Sequence, residues 1–222
     1  MKRILSLVLG LTLLSASAAH AQYYEIANQL TGLIRPALSG AFNYKGYVEL
    51  SGTAGVGHDR ANFIGISTSQ GFKYSSWFFM GAGIGLDVAM ANQTNLNYSG
   101  DYGYPDYLGH STTKTKVMIP VFSDFRFTIG DQTATSFFID LKIGAAWLMG
   151  SDYLRMDRGC LTDGTQFYFK PSAGVRIPIG NDNRRAVNIG LTYQLLTSNN
   201  NYYWHSNSLT LSNIGATIGF EW

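Results

Sequence analysis

The chain has 222 residues and a formal net charge of +2; 45% of its residues are hydrophobic, 14% aromatic and 14% charged. The charged fraction is well below the roughly one quarter typical of soluble domains, and the scattered basic residues argue against a nucleic-acid partner. One cysteine, Cys160, excludes an internal disulfide. A mean hydropathy of -0.01 is low for membrane helices, but it is typical of a single-domain barrel whose strands turn one face to a polar interior.

Residues 1–21 form a predicted secretory signal. Lys2 and Arg3 supply the charged start, residues 4–14 the apolar run, and Ala19-His20-Ala21 the small-residue cleavage pattern. The mature chain is therefore predicted to begin at Gln22. No later apolar run approaches the roughly 18 residues that a membrane helix needs.

Residues 22–41 precede the first strand pattern. Apolar residues recur there at helical spacing until Pro36, which indicates a short amphipathic helix. Such a helix would plug the barrel from below or lie at the membrane surface. A loosely ordered periplasmic segment is the alternative, and the sequence leaves both open.

Eight later stretches alternate apolar residues with small or polar residues. They cover residues 46–57, 62–72, 77–91, 116–129, 137–149, 167–179, 186–197 and 208–222. Successive side chains of a strand point to opposite faces, so each stretch has an apolar face and a polar face, although the faces of the second are the least clear. The sequence predicts an all-β fold over residues 42–222, an eight-stranded antiparallel up-and-down transmembrane β-barrel.

Two local features refine this prediction. Pro120 lies inside the fourth stretch, where it cannot donate to a ladder, so we expect a bulge or bend there. Three of the predicted connections are short, namely 73–76, 130–136 and 180–185. Three of the four alternate connections are long, namely 92–115, 150–166 and 198–207, and the fourth, 57–61, is short. This alternation is typical of barrels with short periplasmic turns and longer extracellular loops.

Charged residues fall on the predicted inner faces. The acidic ones are Glu49, Asp87, Asp124, Asp140 and Glu221, and the basic ones are Arg126, Lys142, Lys170 and Arg176. Because charges enter a narrow, dry lumen only if they are paired, we predict a salt-bridged network that fills the barrel. An ion pathway is the alternative.

Aromatic residues cluster in two predicted outer loops. The candidate binding residues are Tyr102, Tyr104, Tyr107, Tyr203 and Trp204. Aromatic faces stack on sugars or anchor protein partners, but they also form interface girdles or pack loop on loop.

The final strand ends Ile214-Gly215-Ala216-Thr217-Ile218-Gly219-Phe220-Glu221-Trp222, a pattern that resembles Gram-negative outer-membrane barrels. Residues 119–127 (IPVFSDFRF) and 137–144 (FFIDLKIG), with Gly71-Phe72, resemble the small OmpA/OmpX-like barrels of Bacteroidetes type. The resemblance implies a location among outer-membrane lipid and lipopolysaccharide, and recognition of the strand ending at Trp222 by the barrel-assembly machinery. Most members of that group have no assigned activity.

An enzymatic function has little support in the sequence. Lipid A deacylases use a His-x-Ser-Asn pattern, whereas this chain has His205-Ser206-Asn207 and His110-Ser111, in which adjacent residues of a strand face opposite ways. We therefore predict no catalytic residue, no metal site and no cofactor.

The predicted function is structural or adhesive, with an unknown extracellular ligand bound through the loops. The alternatives are a lipid-modifying enzyme, a narrow solute pore, and a secreted lipocalin-like barrel with its apolar faces inside.

Overall fold

The computed structural model describes residues 43–57, 60–91, 112–131, 133–150, 153–155, 160–161, 164–180, 184–202 and 205–222. Its strands are β1 (Asn43–Val56), β2 (Ala61–Lys73), β3 (Phe78–Ala91), β4 (Thr112–Thr113), β5 (Thr115–Ile129), β6 (Ser136–Leu148), β7 (Tyr153–Arg155), β8 (Cys160–Leu161), β9 (Thr165–Ile179), β10 (Arg185–Tyr202) and β11 (His205–Glu221). In the described part of the chain, no helix is long and apolar enough to cross a membrane. The predicted signal and the predicted N-terminal helix lie outside the described residues.

Eight of these strands close into an antiparallel barrel, which confirms the predicted fold. Its order is β1-β2-β3-β5-β6-β9-β10-β11, and β11 pairs back onto β1 from Tyr47↔Glu221 to Val56↔Ser212. The short strands β4, β7 and β8 form a separate small sheet. We call the end with connections 74–77, 130–135 and 180–184 the turn end, and the opposite end the loop end.

The predicted faces are confirmed by burial. In β1, Tyr47 and Glu49 are buried while Leu50 is exposed, and the same alternation continues through β3, β5, β6, β9, β10 and β11. The structure also decides β2, where Phe63 and Ser67 point inward. Each strand thus separates an inner row, which holds the charged residues together with some buried aromatic and aliphatic residues, from an apolar outer row.

The bulge expected at Pro120 is wrong. The β3–β5 register is the same on both sides, from Ile84↔Val121 to Asp87↔Met118, so no extra residue is inserted. Pro120 still pairs with Ala146 of β6. Because proline has no N–H to donate, the β3–β5 ladder is interrupted locally at Pro120, and the register on both sides is unchanged.

The long loop predicted at residues 198–207 is also wrong. β10 continues to Tyr202 and β11 begins at His205, and these two residues pair across the two-residue connection 203–204. Neighbouring strands stop earlier, since β9 pairs with β10 only as far as Thr197 and β1 pairs with β11 only as far as Ser212. The Ser- and Asn-rich sequence has a low strand propensity, but pairing along the hairpin satisfies its backbone groups.

Two turns at the turn end show how the chain reverses. Gly130 and Gly180 end β5 and β9 with φ of 112° and 82°, a region that favours glycine. After Gly130, the Thr133 N–H donates to the Asp131 carboxylate at 2.9 Å, and this hydrogen bond lowers the pKa of Asp131 below its ordinary value. Both features keep the connections short.

We expect Gly144→Leu to impair folding far more than Gly52→Leu. A Cβ at Gly144 would lie 2.6 Å from Phe122 Cα and even closer to the Val121 carbonyl oxygen, whereas a Cβ at Gly52 would meet nothing within 4 Å. Overpacking of this kind costs about 1–3 kcal/mol or more. Urea unfolding of the refolded variants in detergent checks this, and equal midpoints for the two variants would contradict it.

Candidate functional site

The middle of the lumen holds a buried ion cluster that we call the central cluster, made of Glu49, Asp140, Arg126 and Lys142. The Arg126 guanidinium pairs with Glu49 and, at 3.1 Å, with Asp140. The Lys142 ammonium bridges the same carboxylates, at 2.6 Å to Glu49. All four side chains are buried. Each charge contacts two charges of opposite sign, and these contacts offset the cost of removing it from water.

Register explains why these residues meet. Arg126 lies opposite Asp140, and Asp124 opposite Lys142, across the β5–β6 ladder. Glu49 reaches them from β1, which is not a neighbour of either strand in the barrel. The central cluster therefore spans the lumen and ties opposite walls together.

Aromatic rings line the central cluster. The Arg126 guanidinium lies 4.1 Å from the centre of the Tyr47 ring and 4.8 Å from that of Phe138, and the Lys142 ammonium lies 5.9 Å from the Phe122 ring. Phe122 also stacks on Tyr168 at 5.8 Å between ring centres. Because ring faces attract cations, these contacts help to hold the Arg126 and Lys142 side chains in place.

A second network closes the turn end. Glu221 accepts hydrogen bonds from Lys45 at 2.5 Å and from Arg176 at 2.9 and 3.2 Å. Lys45 also donates to the Arg184 carbonyl at 2.6 Å. The sequence prediction omitted Lys45, because it placed the start of β1 at residue 46; a start three residues earlier puts Lys45 on the inner face.

Towards the loop end, Lys170 donates to Ser51 Oγ at 2.6 Å and interacts electrostatically with Asp87. A Ser–Lys pair at this distance resembles the nucleophile and base of some hydrolases. Here both side chains are buried in the lumen.

Some polar atoms of the lumen lack partners. Among the described residues, Nε and Nη1 of Arg126 have no hydrogen-bond partner, and Asp124 lies against Asp140. The lumen is thus held by charge pairing more than by complete hydrogen bonding. Among the residues that the structure describes, no group of three His, Cys, Asp or Glu side chains could hold a metal ion.

An apolar cluster covers the loop end of the lumen. Its larger members are Phe63, Met118, Phe122, Leu148, Leu154, Tyr168, Leu196 and Leu211. Leu154 comes from β7 in the small sheet and is fully buried. Leu154 therefore packs against the apolar cluster from the small sheet, a contact that no sequence pattern indicated.

The outer face of the barrel is apolar. Leu191 is 72% exposed and Phe137 64%, and exposed aromatic residues lie near both ends: Tyr44, Trp77 and Trp222 at the turn end, Trp147 and Phe167 at the loop end. At the turn end, Trp77 stacks on Phe127 at 5.9 Å between ring centres. An apolar band between two aromatic levels is the arrangement that membrane barrels present to lipid.

The structure brings some of the predicted site residues together, and others lie outside the described residues. It brings together Glu49, Arg126, Asp140 and Lys142, sets Asp124 beside them, and puts Lys170 with Asp87 and Arg176 with Glu221. The predicted loop residues Tyr102, Tyr104, Tyr107, Tyr203 and Trp204 lie outside the described residues, as do His110 and Ser111. His205, Ser206 and Asn207 pair along the backbone with Tyr202, Asn201 and Asn200.

Comparison with known proteins gives only structural similarity. No protein-family model matches the sequence, and a search of curated proteins found no match. Similar solved structures include Neisserial surface protein A (10% identity, TM-score 0.48, 80% of this chain and 94% of that one) and the outer membrane enzyme PagL (11%, 0.49, 78% and 97%). Another is the N-terminal β-barrel domain of Pseudomonas aeruginosa OprF (9%, 0.42, 82% and 99%). Similarity at this level says nothing about activity.

We expect Arg126→Met to destabilise the barrel strongly. The change leaves Glu49 and Asp140 buried with Lys142 as the remaining cation of the central cluster, and breaking a buried ion pair costs about 3–5 kcal/mol. Arg185→Met removes an exposed charge from β10 and should change stability by less than about 0.5 kcal/mol. Urea unfolding in detergent micelles measures both, and an unchanged midpoint for Arg126→Met would mean that the pairing is not stabilising.

Proposed function

We propose that the chain is an integral outer-membrane β-barrel protein with a filled, salt-bridged lumen, and that it acts structurally or in adhesion through its loop end. One observation carries the proposal: the barrel buries its charges and exposes its apolar residues. Glu49, Asp140 and Arg126 are buried in the lumen while Leu191 and Phe137 are the most exposed large hydrophobics. A soluble domain exposes its charged residues to water and buries most of its large hydrophobic residues. The opposite distribution on this barrel suits an outer surface in contact with lipid.

A secreted lipocalin-like barrel fits less well. Such a barrel keeps its apolar faces inside to hold a ligand and its polar faces in water. Here the inner rows carry ion pairs and the outer rows carry exposed Ile, Leu and Phe. In water this outer surface would be an aggregation hazard.

A narrow pore also fits less well. Eight strands enclose an interior just wide enough for side chains to fill. From the turn end to the loop end, this interior holds the Glu221 network, the central cluster and the apolar cluster that includes Leu154. An ion crossing the lumen would have to displace several buried charge pairs. The filled lumen therefore favours a barrel that supports its loops and does not conduct.

The proposal includes no catalytic residue, no metal and no cofactor. A lipid-modifying activity would need a nucleophile and a base side by side, and the one Ser–Lys pair described is sealed in the lumen. The proposed binding surface consists of Tyr102, Tyr104, Tyr107, Tyr203 and Trp204.

A location in the outer membrane implies the partners that we propose for the chain. Cleavage near Ala21 would release the mature chain to the periplasm. β11, which carries four alternating apolar residues and ends beside Trp222, would be the strand that the barrel-assembly machinery recognises. Once inserted, the outer face would contact outer-membrane lipid and lipopolysaccharide.

A cold SDS gel tests the membrane barrel. A closed barrel satisfies its backbone hydrogen bonds internally, so the protein from the outer-membrane fraction should keep its fold in SDS until it is boiled and should migrate differently before and after heating. A soluble protein with no heat-dependent shift would overturn the proposal.

A labelling experiment tests the orientation. In a Cys160→Ser background, Gly164→Cys places a thiol at the loop end and Thr133→Cys places one at the turn end; both positions are exposed. We expect a PEG-maleimide too large to cross the outer membrane to label Gly164→Cys on intact cells and Thr133→Cys only after lysis. The reverse result would show that the loop end faces the periplasm.

A further inference from the structure

A third carboxyl group lies against the central cluster. Asp124 of β5 is fully buried and pairs with Lys142 across the β5–β6 ladder. Its side chain makes a hydrogen-bond contact with the carboxyl group of Asp140, which lies two residues before Lys142 on β6 and is also fully buried. Two carboxyl groups therefore touch each other inside the barrel, out of reach of water.

The two cations of the central cluster are already engaged by other carboxylates. Arg126 and Lys142 each contact both Glu49 and Asp140, so two positive charges match two negative charges. Among the residues that the structure describes, no ion pair includes Asp124, and Arg126 and Lys142 attract it only from beyond contact distance. Asp124 thus adds a third acidic group to a cluster that is neutral without it.

The other strands around Asp124 bring no further cation to it. They contribute two phenol groups, from β1 and β9, and a glycine opposite Asp124 on β3, namely Tyr47, Tyr168 and Gly81. Lys170 of β9 pairs with Lys142 along the β6–β9 ladder, but its own acidic partner is Asp87. The excess negative charge at Asp124 is therefore not matched by any neighbouring strand in the described part of the barrel.

The contact between the two carboxyl groups requires a proton. An ionised carboxylate only accepts hydrogen bonds, so two ionised carboxylates cannot bond to each other. They would also repel strongly in a dry interior, and paired carboxyl groups avoid that repulsion by sharing one proton. Asp140 stays ionised because it accepts from both Arg126 and Lys142, which leaves the proton on Asp124.

We infer that Asp124 keeps a proton at neutral pH and donates it to Asp140, so that the barrel takes up one proton when it folds. An aspartate of the unfolded chain is ionised above about pH 4. From that pH up to the pH at which the folded barrel loses the proton, unfolding releases one proton, and stability therefore falls as the pH rises. This pair makes the lumen a pH-sensitive element, a property that goes beyond the proposed function.

Asparagine substitutions distinguish the two carboxyl groups. Asp124→Asn keeps the shape of the side chain and a donor towards Asp140, so the variant should be at least as stable as the unchanged protein at about pH 7. Asp140→Asn removes the negative charge that Arg126 and Lys142 contact, and it should lower the midpoint of urea unfolding in detergent micelles. A lower midpoint for Asp124→Asn, or its failure to fold, would overturn the inference, because position 124 would then need its charge.

The pH dependence of unfolding counts the proton. Between about pH 5 and about pH 7, the unfolding constant of the unchanged protein should rise about tenfold per pH unit relative to that of Asp124→Asn. Asp131→Asn changes an exposed aspartate at the turn end, which is ionised over this range in both states, so this variant should follow the unchanged protein. Parallel curves for the unchanged protein and Asp124→Asn would mean that folding binds no proton at Asp124.

Infrared spectroscopy detects the proton without any unfolding step. A protonated carboxyl group has a C=O stretching band at a higher frequency than the carboxylate and amide bands. At about pH 7, the folded unchanged protein should show such a band, which Asp124→Asn lacks and Asp131→Asn keeps. Equal spectra for the unchanged protein and Asp124→Asn in this region would overturn the inference but leave the proposed function standing, which the cold SDS gel decides.

Discussion

Closure of the sheet is the constraint on which the rest of this structure depends. Pairing of β11 with β1 completes a ring of eight strands, so no strand edge in the ring is left for another chain to join. It also fixes an interior that only side chains can fill. Every residue on an inner row must then find a partner among residues on the facing walls, and every residue on an outer row must suit the surrounding solvent.

The contents of the lumen follow from that confinement. Charged groups leave water at a cost of several kcal/mol each, and this cost is offset only where opposite charges touch. The central cluster meets the condition by sharing two carboxylates between two cations, and Glu221 does so by accepting from Lys45 and Arg176. Asp124 meets it less well, since it lies beside Asp140, a second carboxyl group.

The two ends of the barrel are closed by different chemistry. At the turn end, Lys45, Arg176 and Glu221 form a polar seal next to short, glycine-containing turns. At the loop end, Leu154 joins an apolar cluster.

The sequence by itself determined the barrel strands and, except in β2, their faces, because a period of two is a local property that each stretch carries whatever it pairs with. It thereby predicted the closed eight-stranded barrel, and it placed charges such as Glu49, Arg126 and Lys142 on inner rows. Only the tertiary structure decided which charges meet: Glu49 lies 93 residues before Lys142, and no local pattern encodes a contact across the lumen. Pairing likewise extended β10 and β11 through a Ser- and Asn-rich stretch, brought Lys45 inside, kept the register at Pro120 and seated Leu154 over the loop end. The extension of β10 and β11 comes from pairing of the two strands with each other across two residues, whereas the other contacts come from partners distant in sequence.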